Sequence, residues 1–337
     1  MNADVTDDGG IDRIRVDRRI VDRLSARGLV SPAARDFALD LIEPPRRWGL
    51  WVSRLVTVLG MSLTLAGIVY FFAFNWDRIP PLVKLAAIAL LIAAAVAAVA
   101  IAGFGRLVTD AATSAAVILV GVFLAVFGQI YQTGADAWQL FVGWAALTLA
   151  FAVLAGSAAA WAVWLAVANV AILTWWDQTH PWGADFRAGR EFTLIAFDGA
   201  FLVARELLVE RGFSWPAPRW TRFYLAVPIL VAATLTGIDL LERWGRAATA
   251  DRVAMLVVPT VFVAFWYVYR RLRPDVAVLA ATAIGAAVLT DFALFRLLSS
   301  GGRSTDVGIL FIMGFATLGI FGVAVAWLRS VARDTGA

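Results

Sequence analysis

Ten runs of apolar residues, each long enough to cross a bilayer, dominate this chain. They lie at about 52–74, 82–103, 111–131, 137–155, 158–176, 191–208, 221–241, 253–269, 275–298 and 306–328. A crossing helix takes about 20 residues, because each residue adds about 1.5 Å across a hydrocarbon core about 30 Å thick. Each run is read as a helix, since a lone strand in lipid would leave its backbone amides unpaired. Helix breakers fall between the runs: Pro80 and Pro81 before the second, Pro216 and Pro218 before the seventh, Pro274 before the ninth. Of 337 residues, 61% are apolar and 16% charged, against about 45–50% and ~25% in soluble domains. A soluble enzyme, a disordered chain and a disulfide scaffold are excluded. The fold class expected is an all-α integral membrane protein of about ten transmembrane helices, preceded by a short cytoplasmic N-terminal helical hairpin.

Orientation follows from the basic residues on alternate sides of the runs. With the N-terminus inside, 20 Lys and Arg fall inside and 9 outside. The sixth run carries Asp198 at its middle. Leaving it out inverts everything downstream and reduces the bias to 16 against 13, so the run is kept as a span. Both termini are then cytoplasmic and the protein sits in the inner (plasma) membrane. Many of the fifteen Trp, Trp175, Trp176, Trp215 and Trp220 among them, fall near span ends, as interfacial anchors do.

Residues 1–47 carry no signal peptide and form the cytoplasmic segment. Ile14, Val21 and Leu24, with arginines between them, fit a short amphipathic helix that Gly28 closes. Ser31 and Pro32 then open a second helix, with Phe37, Leu41 and Ile42 on one face. The pair resembles a helix-turn-helix in outline only. Without a recognition helix, nucleic acid is set aside as a partner. The plainer reading is a hairpin on the inner leaflet, its arginines against anionic lipid, or a docking site for a cytoplasmic protein.

Three polar clusters interrupt the apolar pattern, and the threading puts all three on the outer face. They are Asn75 and Asp77 after the first span, Gln129, Tyr131, Gln132, Thr133 and Asp136 between the third and fourth, and Trp175 to Trp182 after the fifth. Phe72 to Pro81 and Gly128 to Phe141 resemble a bacterial membrane-protein family catalogued as domain of unknown function 2157. In that family a short helical segment precedes an asparagine-tryptophan turn and a glycine-glutamine-isoleucine-tyrosine-glutamine stretch. The resemblance covers residues 10–180 or so, and implies a bacterial integral membrane protein without an assigned reaction. Three regions result: 1–47, the cytoplasmic segment; 48–180, the family-like membrane region; and 181–337, the remaining spans with a short cytoplasmic tail.

Asn75, Asp77, Lys84, Gln129, Tyr131, Gln132 and Asp136 are the candidate ligand-binding residues, expected to converge at one outward-opening pocket. Gln129 and Gln132 share a helical face, and Lys84 is the sole Lys of the chain. Capping alone would explain Gly134, Asp136 and Gln139, which have the spacing of a turn and a capping box; Lys84 alone would be explained by snorkelling. Asp198 is a candidate proton relay, because a carboxylate at mid-span must be protonated, paired or watered. Asp239 and Asp291 are read as the remaining acids inside spans, with Asp291 and Arg296 near the outer end of the ninth placed to neutralise partners on other helices. No catalytic set, metal set or cofactor motif is assembled; the chain has no Cys and one His. Three classes remain open: binding or transport of a small polar solute, a non-catalytic assembly or scaffold subunit with a membrane-protein partner or a second copy, and a membrane enzyme acting on a lipid-linked or periplasmic substrate. The topology is checked by fusing the C-terminus to a reporter active only in the periplasm. The fusion is expected to stay dark, and a bright one overturns the threading.

Overall fold

The computed structural model describes residues 18–42, 76–102, 107–179, 188–243, 249–299 and 307–335, with scattered single residues between 49 and 70. The described elements are helices, and the chain divides into two compact units, residues 1–79 and 80–337.

In the first unit, α1 (Arg18–Ala26) and α2 (Pro32–Ile42) pack as a hairpin. Gly28 adopts φ +71°, and the Leu29 N–H reaches back to the Leu24 carbonyl at 3.0 Å, the bond pattern of a glycine-closed helix end. The Ser31 hydroxyl accepts from the Ala34 N–H at 3.2 Å, so Ser31 is the cap and Pro32 opens the helix. Arg35 clamps the two helices through Asp22 at 2.7 Å, and that hydrogen bond holds the guanidinium above its ordinary range. Val21 is buried, whereas Phe37 is 70% exposed.

In the second unit the helices are α3 (Pro81–Ala102), α4 (Leu107–Tyr131), α5 (Ala137–Ala155), α6 (Ala158–Thr179), α7 (Gly189–Glu210), α8 (Arg219–Glu242), α9 (Thr249–Tyr267), α10 (Val276–Ser299) and α11 (Val307–Thr335). A π turn, Val268–Leu272, ends α9. All of these except α7 are long and apolar enough to cross a membrane, eight in number. They correspond to the second to fifth and seventh to tenth apolar runs. The first run lies largely outside the described residues, and the sixth is α7.

Consecutive helices pack side by side, and α8 touches α6, α7, α9 and α10. It is the most buried of the apolar helices. The core is formed by Trp164, Leu165 and Ala168 of α6, Leu202 of α7, Leu225, Ile229 and Leu230 of α8, and Val278 and Leu279 of α10. Aromatic donors stitch neighbouring helices by bonding backbone carbonyls: Trp144 Nε1 to Val117 at 2.6 Å, Trp164 Nε1 to Ala145 at 2.8 Å and Tyr224 Oη to Ala162 at 2.6 Å. Buried hydroxyls of Thr148, Thr236 and Thr282 donate to the carbonyl four residues earlier, which removes the cost of carrying a free donor into lipid.

The charges of α7 sort by face. Its buried stripe, spaced by three or four residues, is Glu191, Leu194, Asp198, Leu202 and Arg205. Its exposed face is Ala196, Ala200, Val203, Ala204 and Leu207, with Glu210 at the C-terminal end. A soluble amphipathic helix does the reverse. The helix runs antiparallel to α6 over its length: Trp176 Nε1 donates to Thr193 at 3.1 Å, Asn169 Nδ2 to Asp198 at 3.0 Å, and the Trp164 ring meets Phe201 at 5.7 Å. Trp176, expected as an interfacial anchor, is buried in this contact.

Close approach of α4 and α5 depends on Gly121. A Cβ there would lie 2.2 Å from the Trp144 ring, well inside van der Waals contact. Gly121→Ala is expected to cost about 1–3 kcal/mol through overpacking, read as a lower unfolding temperature of the purified protein in detergent. An unchanged transition would show that Trp144 yields freely.

Candidate functional site

Of the residues expected to line an outer pocket, Asn75 and the Asp77 side chain lie outside the described residues. Lys84 is half-buried one turn into α3, while Gln129, Tyr131, Gln132 and Asp136 are exposed on the last turn of α4 and the link to α5. Because α3 and α4 form a hairpin, the start of α3 and the end of α4 lie at the same end of the bundle. Local bonds shape this link. Gln132 follows the helix end at φ 44°, and the Thr133 N–H reaches the Gly128 carbonyl at 3.3 Å, so Gln132 occupies the left-handed position that usually belongs to Gly. Gly134 follows at φ 64°. The Gln139 Oε1 accepts from the Asp136 N–H at 3.1 Å, as the expected capping box requires. The third polar cluster completes this corner: Gln178, at the end of α6, accepts from the Trp138 N–H at 3.2 Å. Beside it Arg190 bridges Asp177 at 3.0 Å and Glu191 at 2.8 Å. The end of α6 thus meets the start of α5 and the start of α7.

Deeper in the bundle, Asp198 is 1% exposed. Its Oδ1 accepts from Asn169 Nδ2 at 3.0 Å, and the same amide nitrogen donates to the Leu165 carbonyl at 3.0 Å. Asp198 Oδ2 and Asn169 Oδ1 are buried and have no partner. Two cavities flank this layer. One, of about 660 Å³, is lined by Asn169 and Leu173 of α6, Arg190, Glu191 and Leu194 of α7, and Trp220 to Leu235 along α8. The other, of about 170 Å³, is lined by Trp161 and Leu165 of α6, Phe201 and Arg205 of α7, and Trp215, Trp220 and Tyr224. On α7 the linings stop at Leu194 and resume at Phe201, with Asp198 between them. Trp220 and Tyr224 are common to both. Pro228 in the first lining withholds an N–H from α8, which leaves the Tyr224 carbonyl without its usual helical partner.

The opposite end of the bundle carries a network that sequence reading missed. Glu206 receives Arg205 at 2.7 Å, Arg222 at 2.8 Å and Arg273. Arg222 also pairs with Asp275 at 3.1 Å, and Arg273 with Glu210. Arg205, 6% exposed, donates to the Pro216 and Ala217 carbonyls of the α7–α8 loop at 3.0 and 3.1 Å. This ties the end of α7, the start of α8 and the α9–α10 link together. The other span residues singled out from sequence, Asp239, Asp291 and Arg296, are also partnered. Asp239 pairs with Arg243, Asp291 accepts from the Thr317 hydroxyl at 2.8 Å, and Arg296 donates to the Glu242 carbonyl at 2.9 Å.

Residues 22–161 match the family model described as a predicted membrane protein (DUF2157). The resemblance read from Phe72–Pro81 and Gly128–Phe141 is borne out over those residues, a narrower stretch than 10–180. The match runs from α1 into the first turn of α6, so Asn169, Asp198 and the Glu206 network lie beyond it. No curated protein and no solved structure gives a match. The chain is a multi-pass membrane protein.

If Gln132 serves only the turn, Gln132→Gly relieves its left-handed backbone and raises stability by about 1 kcal/mol, with unchanged insertion in the membrane. A destabilised Gln132→Gly protein would show that the glutamine side chain holds something that the turn does not need.

Proposed function

We propose that the protein binds or transports a small polar solute in the bacterial inner membrane. The observation that carries this reading is the pair of cavities on either side of the Asn169–Asp198 layer. A membrane-buried polar centre between two hollows is what a solute path with a central constriction requires. The walls are mainly apolar with a few polar groups, as in most ligand pockets: Asn169, Arg190 and Glu191 on one side, Arg205 and Thr221 on the other. On this reading Lys84, Gln129, Tyr131, Gln132 and Asp136, at one end of the bundle, form the outer approach. Amides, a phenol and charged groups there offer both donors and acceptors to a polar guest.

A second reading, as a non-catalytic assembly or scaffold subunit, is supported by α11. Only 6% of its apolar stretch is buried, and Val307, Leu310, Phe311, Phe315 and Leu318 project from it.

Access decides between them. The chain has no Cys, so single Cys substitutions report without background. Leu173→Cys in the larger cavity is expected to react with a membrane-impermeant maleimide applied from the α4–α5 side, and Leu279→Cys in the core to resist it. Reaction of Leu173→Cys with a lipid-soluble maleimide alone would mean that the cavity opens to lipid, and the solute reading would fail.

A further inference from the structure

We infer that Asp198 is a proton-binding site: its carboxyl is protonated in the folded protein at neutral pH and donates its Oδ2 hydrogen to Asn169 Oδ1, closing a two-bond acid–amide ring between α6 and α7. The inference concerns the same layer as the proposed solute path but stands apart from it, since a scaffold subunit could hold the same proton.

The argument begins with the hydrogens available. The Asn169 amide has two, and both are used, one on the Leu165 carbonyl and one on Asp198 Oδ1. The Leu165 carbonyl fixes which way round the amide sits, because a flipped amide would set oxygen against oxygen there. Two buried acceptors are then left over, Asn169 Oδ1 and Asp198 Oδ2, in a pair already joined by one bond. With an ionised carboxylate there is no hydrogen to place between them. One added proton turns Oδ2 into a donor and removes both unpaired oxygens at once.

Neutralisation by a cation is not offered by the elements packed on α7. On α6, the ionisable residue is Asp177, which holds Arg190 at the helix end. On α7, Arg190 is bonded to Asp177 and Glu191, and Arg205 to Glu206 and loop carbonyls. Each arginine is seven or eight residues from Asp198, about 10–12 Å along the axis. On α8, Tyr224 donates its hydroxyl to the Ala162 carbonyl, Arg222 is shared by Glu206 and Asp275, and Arg219 is exposed at the first position of the helix. Among the described residues, the polar side chain bonded to Asp198 is Asn169. A bare carboxylate in that setting is the costliest of the available states.

A neutral acid also explains how α7 keeps Asp198 inward while its outer face at mid-helix is Ala196, Ala200 and Val203. The layer then carries no net charge when closed. Water or a solute entering from either cavity would meet an acid able to release its proton as the ring opens.

The test is infrared spectroscopy of the full-length protein in lipid, with carboxyl-labelled aspartate to mark the Asp bands. The wild type at pH 7 is expected to show a labelled protonated-carboxyl C=O band that is lost in Asp198→Asn. The same band should move to higher frequency in Asn169→Leu, where the amide bonds are gone. If the difference between wild type and Asp198→Asn contains carboxylate bands alone, Asp198 is ionised and the inference falls. Asp198→Asn supplies the missing hydrogen permanently and should fold. If it does not, Asn169→Leu decides. A band that moves supports the ring, and a band that stays, or no band, overturns it. Solute access to Leu173→Cys is unaffected by either outcome, so the two readings fail separately.

Discussion

Lipid offers a side chain no hydrogen-bond partner, so a polar group carried into the bilayer must find one within the protein. The arrangement of α6, α7 and α8 follows from that constraint. Glu191, Asp198 and Arg205 lie on one stripe of α7 and turn inward, where Arg190, Asn169 and the α7–α8 loop receive them. The outward residues at mid-helix, Ala196, Ala200 and Val203, are small or aliphatic. Because α7 is polar on its inner side, its neighbours must meet it with polar or aromatic atoms at matching depth, and the contacts at Trp176, Asn169 and Trp164 do so in turn. Among the bundle helices α3 to α11, the one that hydropathy ranks lowest is thus held by polar and aromatic contacts along its length.

Much of the fold was legible in the sequence. The apolar runs locate all eight apolar helices, with the Pro80–Pro81, Pro218 and Pro274 breaks close to their starts. The hairpin caps at Gly28 and Ser31 were equally readable, because a cap depends on residues a few positions apart. The sixth run was harder. Its charges lower its hydropathy, and only the spacing of Glu191, Asp198 and Arg205 hints that they share a face.

The site was less legible, for a reason of distance along the chain. Asn169 sits inside a long apolar run and looks like a tolerated exception until Asp198, 29 residues later, is placed beside it. Glu206 gathers arginines 16 and 67 residues away. In the sequence Arg205, Arg222 and Arg273 count as equal votes for a cytoplasmic side. In the structure they are the ties of an ion network. Gln132 illustrates the opposite case. Its place in a polar cluster drew attention, and its backbone angle supplies a structural reason for the turn around it.

The attachment of α11 bears on how this protein would come apart under load. It lies along α10 with most of its surface outside the bundle, and the Thr317 hydroxyl bonded to Asp291 is a polar link between the two. Force applied at the C-terminus would peel this helix before it disturbed α8, which is gripped from four sides. The first rupture would draw Val331 out of the core, and on reaching Thr317 the peel would strip Asp291 of its hydroxyl donor and present a carboxyl to lipid. Mechanical extraction is thus opposed by a solvation penalty at one residue, over and above the surface contact that is lost.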